Sequence, residues 1–177
     1  KAYDGVRKVF SDTKAAKHAG ITAGDFSFNT PGGRCENCQG LGTVTIEMHF
    51  MADIDVICDD CSGERFKRPV LDVRYRGKNI SDVFRMTIAE AILFFDGSKV
   101  ITRKLQPLKE VGLGYLRLGQ STSTLSGGEA QRLKLATYIA AGQLSSGAKP
   151  VFFIFDEPTV GLHLRDIVTL LKALRKL

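Results

Sequence analysis

The chain has 177 residues, of which 44% are hydrophobic and 25% are charged. This length and composition predict a folded globular protein, and they exclude a disordered tail, a fibrous repeat and a miniprotein that needs covalent staples. No apolar run approaches the roughly 20 residues that span a bilayer, and residues 1–10 lack the apolar stretch of a secretory signal. We therefore expect a cytoplasmic protein with no membrane partner.

The net charge of +6 is unevenly distributed along the chain. The segment from Cys35 to Cys61 holds six acidic and no basic residues, so it carries −6 and the remaining residues sum to +12. Basic residues are densest directly after this segment. Six of them are candidate contacts to the phosphates of DNA: Arg65, Lys67, Arg68, Arg74, Arg76 and Lys78. The alternative is a basic face that only contacts solvent.

All four cysteines lie in the acidic segment, as two CxxC pairs with 19 residues between them: Cys35, Cys38, Cys58 and Cys61. Two CxxC turns at this separation are typical of a structural zinc site, because each turn presents two sulfurs to the metal. Alternation of polar and apolar residues from Thr43 to Phe50, continued at Ile54 and Val56, predicts a β-hairpin that brings the pairs together. The alternatives are two disulfides, four free thiols or a bound iron ion.

Two helices are predicted in the second half of the chain. One runs from Thr87 to Phe95. The other begins in the sequence LSGGEAQRLKLA, where Ser126 and Glu129 have the spacing of a capping box. Gly127 and Gly128 weaken its first turn but would let an anion reach the backbone N–H groups there, so an anion site and an ordinary cap are both open. Its apolar face is predicted from Ala130, Leu133, Ala136 or Thr137, and Ala140.

An apolar run at 151–155 predicts a strand that is buried on both faces of a parallel sheet. This strand would deliver Asp156 and Glu157 to its carboxyl end, where open α/β sheets bind ligands. Asp156 could hold Mg²⁺ and Glu157 could orient or deprotonate a water, the alternative being an exposed acidic turn. A following helix is predicted from an apolar stripe: Leu164, Ile167 or Val168, Leu171, Leu174 and Leu177.

LSGGEAQ resembles the signature motif of ABC-type ATPases, and VFFIFDEPTVGLH resembles their Walker B strand and the loop after it. Together with the CxxC module and the segments FSFNTPGGRCENCQGLG, VRYRGKNISDV and VGLGYLRLGQSTS, the sequence resembles the UvrA family, the DNA-damage-recognition ATPases of bacterial nucleotide excision repair. The resemblance covers essentially the whole chain and is to the second ATPase module. It implies an α/β fold, part of an ABC-type ATPase module with a helical signature subdomain and an inserted zinc-binding β-hairpin.

The resemblance also implies roles for individual residues. Signature residues would contact the γ-phosphate of ATP bound on the opposite module: Ser126, Gly127 and Gly128, with Glu129 and Gln131 nearby. Asp156 would lie near Mg²⁺ and Glu157 would be the catalytic residue that activates the hydrolytic water. The four cysteines would hold structural zinc in an insertion close to damaged duplex. The family commonly has threonine where this chain has Val160, a difference that leaves both carboxylates in place.

Implied partners are damaged double-stranded DNA, the other ATPase module of the same chain, a homodimer partner and the helicase-like second subunit of the excinuclease, within the SOS response. No GxxxxGK[ST] phosphate loop occurs in the sequence. We therefore expect an internal fragment that does not hydrolyse ATP by itself.

Four segments are expected along the chain. They are a helical and loop lead-in (1–34), the zinc-binding module (35–61), a basic connecting segment with helices (62–118), and the signature helix, Walker B strand and following helix (119–177). Two other functions remain open: a UvrA-like paralogue in resistance to DNA-binding drugs, and a zinc chaperone module of the J-protein type. The chaperone interpretation rests on CxxCxGxG at 35–42, but J-proteins use four such repeats.

Overall fold

A computed structural model describes residues 2–141, 152, 154–160, 162 and 164–175 of the protein. The helices and strands in this part are, in chain order, α1 (Ala2–Ser11), α2 (Lys14–His18), β1 (Thr43–Ile46), β2 (Ile54–Ile57), α3 (Arg68–Asp72), α4 (Ile80–Arg85), α5 (Ile88–Phe94), α6 (Lys99–Glu110), a 3₁₀ turn (Thr122–Thr124), α7 (Gly127–Ala141) and α8 (Leu164–Leu174). The chain forms two compact units. Residues 3–83 make the N-terminal unit, and residues 84–177 with residues 1–2 make the C-terminal unit.

Aromatic side chains form the core of the N-terminal unit. Val6 and Phe10 lie one turn apart on α1, so both are buried on the same face of the helix. The ring of Phe10 lies 5.4 Å from that of Phe26 and 6.1 Å from that of Tyr75, measured between centroids. The hydroxyl of Tyr3 donates to the Phe26 carbonyl, and burial raises the pKa of Tyr3 well above its usual value. These contacts fix α1 against the irregular segment before the first cysteine pair.

The predicted hairpin is confirmed, with shorter strands than the sequence alternation indicates. The strands are antiparallel, and their register pairs Thr43 with Ile57, Val44 with Val56, Thr45 with Asp55, and Ile46 with Ile54. Beyond Ile46 the backbone turns, because the N–H of Met48 donates to Asp53 Oδ1 at 3.2 Å and the N–H of Met51 to the Met48 carbonyl at 3.3 Å. Phe50 is therefore in the connecting loop, where its side chain is 100% exposed.

Gly33 allows a close backbone approach in the N-terminal unit. A Cβ at this position would lie 2.1 Å from the Asp25 carbonyl oxygen and 2.6 Å from Val70 Cγ2, closer than real Cβ contacts. The N–H of Lys67 donates to the Gly33 carbonyl at 2.8 Å, which holds the glycine in place. The clash cannot be relieved by rotating one side chain, since the nearest atom belongs to the backbone.

We expect Gly33→Ala to lower the free energy of unfolding by about 3 kcal/mol, the upper part of the range for overpacking a filled site. Chemical denaturation measures the change. Gly24→Ala is the matched control, because its Cβ would meet only Thr22 Oγ1, at the ordinary distance of 3.4 Å. Equal stability of the two variants would contradict the steric argument.

In the C-terminal unit, the helix predicted from Thr87 to Phe95 is confirmed as α5, with these two residues as its caps. Thr87 accepts from the N–H of Glu90, and the Glu90 carboxylate accepts from the N–H of Thr87 at 2.8 Å, which completes a capping box. Helices α5 and α6 and the loop after them supply the core: Ile88, Ala91, Phe95, Ile101, Leu105, Val111, Leu113 and Leu116.

The prediction of a strand buried on both faces at 151–155 is wrong for the residues that the structure describes. Phe152 is 88% exposed and Ile154 is 83% exposed, and neither lies in a strand. Residues 151 and 153 lie outside the described residues. A central parallel strand needs a hydrogen-bonded neighbour on each side. In the described ranges the strands are β1 and β2, which pair with each other.

The inward faces of the last two helices also differ from the predicted stripes. In α7 the predicted Ala136 is buried, but so are Arg132 and Leu135, which the stripe did not include, and the predicted Ala140 is exposed. In α8 Leu170 is buried, and the predicted Leu164 and Leu171 are exposed; position 177 lies outside the described residues. Both helices carry apolar residues on more than one face, so the packing against α6, which contacts each of them, selects the buried face.

None of the helices in the described part of the chain combines the length and the apolar character needed to cross a membrane.

Candidate metal centre and signature turn

The four cysteines form one buried cluster in the N-terminal unit. The sulfurs of Cys35 and Cys58 are 3.9 Å apart, those of Cys38 and Cys61 are 3.6 Å apart, and all four lie within 4.8 Å of one another. Four thiolates around Zn²⁺ at about 2.3 Å have sulfurs roughly 3.8 Å apart. A disulfide requires about 2.05 Å, so the two-disulfide alternative is wrong. The donor set and its spacing fit a structural zinc site.

Backbone turns place the sulfurs. The N–H of Gly42 donates to Cys38 Sγ at 3.3 Å, and the Gly42 carbonyl accepts from the N–H of Cys58 at 3.0 Å, which joins the two CxxC turns. Gly40 has φ +87°, and a Cβ there would lie 2.3 Å from the Phe28 carbonyl oxygen, so this position requires glycine. Val44 on β1 packs against the cluster. The hairpin and the metal centre are therefore one structural element.

The thiols differ in acidity. Burial raises the pKa of Cys61 to about 12. Burial also raises the pKa of Cys38, but hydrogen bonds from the N–H groups of Gly42 and Gly40 outweigh it and lower the pKa to about 7. One thiolate is thus available near neutral pH, and a divalent cation deprotonates the remaining thiols as it binds.

Most of the candidate DNA contacts are on the surface of the N-terminal unit. The exposed ones are Lys67, Arg68, Arg74, Arg76 and Lys78, whereas Arg65 is half-buried. Lys67 forms an ion pair with Glu36 at 2.5 Å, and Arg68 forms one with Asp72 at 3.5 Å. Exposed pairs of this kind contribute little stability, so phosphate can compete for both cations. The Arg65 carbonyl accepts from the N–H of Cys35 at 2.8 Å, which gives Arg65 a place in the metal centre.

The hairpin surface has a different character from these basic residues. Ile46 and Ile54 face each other across the strands and are both about half exposed. On the opposite face the Thr45 hydroxyl donates to Asp55 Oδ1 at 2.7 Å. No Lys or Arg lies between the cysteine pairs. The hairpin between the pairs therefore offers a phosphate neither a lysine nor an arginine.

The signature turn opens α7 with the predicted capping box. The N–H of Ser126 donates to Glu129 Oε2 at 2.7 Å, and the N–H of Glu129 donates to Ser126 Oγ at 3.3 Å. The Tyr115 hydroxyl donates to Glu129 Oε1 at 2.6 Å and, with the Ser126 bonds, lowers the pKa of Glu129. Nothing lies within 4 Å of a Cβ placed at Gly127, so there is open space beside this glycine, whereas the N–H groups of Ser126 and Glu129 are engaged in the capping box. Nothing in the sequence around Tyr115 signals this contact.

Asp156 and Glu157 lie in an exposed turn at 156–160. Glu157 has φ +43°, a left-handed conformation that costs a non-glycine residue roughly 1–3 kcal/mol and is concentrated at functional sites. Arg132 on α7 donates to the Pro158 carbonyl at 3.0 Å, so the signature helix contacts the acidic turn. Gln131 has a buried Oε1 with no partner among the described residues. Sequence reasoning did not find Arg132, because an arginine on a helix is normally exposed.

A hairpin with four clustered cysteines, a capped signature turn and an acidic turn against the signature helix define an α/β protein segment with a candidate zinc-binding insertion. No protein-family model matches the chain. UvrABC system protein A of Haemophilus ducreyi is 52% identical over 172 residues, covering 97% of this chain and 18% of the relative. The protein of the same name from Mycoplasmopsis pulmonis is 47% identical over 175 residues, covering 99% of this chain and 18% of the relative.

The crystal structure of UvrA2 from Deinococcus radiodurans matches with a TM-score of 0.87 and 50% identity, covering 99% of this chain and 20% of that one. The chain belongs to the UvrA family, as the sequence predicted, and its α/β fold is that of the matching part of UvrA2. It spans about a fifth of the length of these relatives.

Proposed function

We propose that the chain is part of the second ATPase module of a DNA-damage-recognition ATPase, the component of the excinuclease that finds lesions in bacterial nucleotide excision repair. The observation that carries this proposal is the identity of about half the residues with UvrA proteins along 97–99% of the chain. The chain itself carries both CxxC pairs and, after them, the signature turn. The protein would act in the cytoplasm, where it would recognise lesions and load the helicase-like second subunit of the excinuclease.

The residues divide this work between the two units. In the N-terminal unit, Cys35, Cys38, Cys58 and Cys61 hold structural zinc, and the basic residues after them bind duplex phosphates without reading bases. In the C-terminal unit, the N–H groups of Gly127 and Gly128, with the Ser126 hydroxyl, bind the γ-phosphate of ATP held by the opposite module. Asp156 would hold Mg²⁺, which neutralises phosphate charge when bound, and Glu157 orients the attacking water.

The test uses the full-length protein and two duplexes, one of them with a single bulky lesion. We expect tighter binding to the damaged duplex and a steep fall of affinity with salt. A triple variant, in which Arg74, Arg76 and Lys78 are each replaced by glutamine, should have a smaller slope of log affinity against log salt. The slope should fall by about one for each phosphate contact that is lost. Replacing Lys14 and Lys17, exposed on α2 of the same unit, is the control and should leave the slope unchanged.

Equal affinity for damaged and undamaged duplex would overturn the proposed function. Preference for unfolded polypeptide over duplex would instead support the J-protein type of chaperone, although identity along nearly the whole chain to UvrA proteins argues against it. Complementation of a strain that lacks the gene distinguishes the repair protein from the drug-resistance paralogue. The paralogue would restore growth on a DNA-binding drug but not survival after ultraviolet irradiation.

A further inference from the structure

Arg132 is a buried cation in the C-terminal unit. Its side chain is 2% exposed, and it lies on the inward face of α7, six residues after Ser126. Nη1 donates to the Pro158 carbonyl at 3.0 Å, and Nε is buried without a partner among the described atoms. A buried charge is unfavourable unless nearby groups compensate it. Methionine or leucine would fill this space at lower cost, so the guanidinium calls for a specific explanation.

Two groups compensate the charge, Tyr115 in the loop after α6 and Glu129 in the first turn of α7. The Tyr115 hydroxyl interacts with Arg132 while donating to Glu129 Oε1 at 2.6 Å. The positive charge of Arg132 also acts on the Glu129 carboxylate, whose other oxygen accepts from the Ser126 N–H at 2.7 Å. Arg132 is thus connected through Glu129 to the signature turn and through Pro158 to the acidic turn.

Gly128 lies beside both Arg132 and the acidic turn. A Cβ at this position would lie 3.3 Å from Arg132 Nη1, a close contact, and 3.4 Å from the Val160 carbonyl oxygen, an ordinary one. The signature glycine therefore lies within contact distance of the guanidinium and of the turn that follows Glu157. Pro158 directly follows Glu157, whose left-handed backbone has to be held by its surroundings.

We propose that Arg132 is a positioning residue that couples the signature turn to the turn carrying Asp156 and Glu157 in the same chain. This inference rests on the proposed function. ATP clamped at Ser126–Gly128 belongs to one composite site, whereas Glu157 acts in the other, so Arg132 connects the two sites through one buried side chain. A nucleotide that shifts the start of α7 moves the Pro158 carbonyl with it, and the Glu157 carboxylate follows.

The experiment compares Arg132→Met and Arg132→Lys in the full-length protein, with Lys134→Met on the exposed face of α7 as the control. ATP turnover gives kcat, and titration with a non-hydrolysable ATP analogue gives the affinity. Thermal unfolding establishes that each variant is folded. We expect Arg132→Met to lower kcat by about 100-fold, the usual cost of misplacing a catalytic group by about 1 Å, with the affinity unchanged.

Arg132→Lys keeps the charge but loses the planar set of donors that reaches the Pro158 carbonyl, so its kcat should lie between those of Arg132→Met and the unsubstituted protein, and measurably below the latter. If Arg132→Met does not fold, a reduced kcat with normal analogue affinity in Arg132→Lys still supports the proposal. Normal kcat in folded Arg132→Met, or in Arg132→Lys where methionine is not tolerated, would overturn it while leaving the proposed function standing. An unsubstituted protein that binds damaged duplex without nucleotide turnover would instead remove the proposed ATPase function.

Discussion

Cys58→Ser is expected to abolish stable zinc binding by the full-length protein at this site and to unfold the hairpin. A serine hydroxyl remains protonated at neutral pH and is a poor zinc ligand, so three thiolates are left in a site built for four. Binding of structural zinc is worth about 10–16 kcal/mol in small zinc domains, and most of it is folding free energy. Strands β1 and β2 are too short to form a stable hairpin by themselves.

Zinc content after gel filtration, together with protease sensitivity of residues 35–61, measures this effect. The matched control is Asp59→Asn, which removes an exposed charge between the two ligands of the second pair and leaves all four thiols. A strong chelator should reproduce the phenotype of Cys58→Ser in the unsubstituted protein. If the serine variant loses zinc and yet keeps a protease-resistant hairpin, the metal is not what holds this element together.

Glu157→Gln is expected to lower kcat for ATP hydrolysis in the full-length protein by about 1,000-fold, within the range for losing a general base. Glutamine preserves the size of the side chain but cannot accept the proton of the attacking water. Affinity for ATP should stay the same, because the phosphates are bound by other groups. Steady-state turnover and analogue binding measure the two quantities separately.

Glu47→Gln, an exposed carboxylate in the hairpin, controls for the change of charge. Asp156→Asn should behave differently from Glu157→Gln, because a Mg²⁺ ligand affects both nucleotide affinity and turnover. Turnover that survives Glu157→Gln would move the catalytic role to another residue of the complete protein. If Glu157→Gln weakened the affinity for ATP and left kcat unchanged, the catalytic role would likewise belong to another residue.

Motifs with a fixed local geometry could be read from the sequence. The spacing of Cys35, Cys38, Cys58 and Cys61 predicted one cluster, and the structure brings the sulfurs together, because each CxxC turn and the hairpin between the pairs are local structures. The capping box at Ser126 and Glu129 was also predictable, since its bonds span three residues. The roles of the signature and acidic residues in catalysis stay predictions.

Which residues are buried could not be predicted from the sequence in this way. The apolar run at 151–155 satisfied every sequence criterion for a buried strand, yet Phe152 and Ile154 are exposed in the structure. In α8 Leu170 is buried and Leu171 is exposed. The sequence pattern could not distinguish them, because either leucine completes a helical stripe. In both cases the pattern describes what a segment is able to bury, whereas the neighbouring elements decide what it does bury.

The sequence by itself determined the family, the clustering of the four cysteines and the local turns, because these depend on residue type and on spacing along the chain. Only the tertiary structure brought Tyr115 to Glu129 and Arg132 on α7 and joined Arg132 to Pro158. Between Tyr115 and Pro158 lie 42 residues with no motif that connects them. Their contact arises from how α7 packs, and a buried arginine becomes recognisable only when the groups that compensate its charge are seen around it.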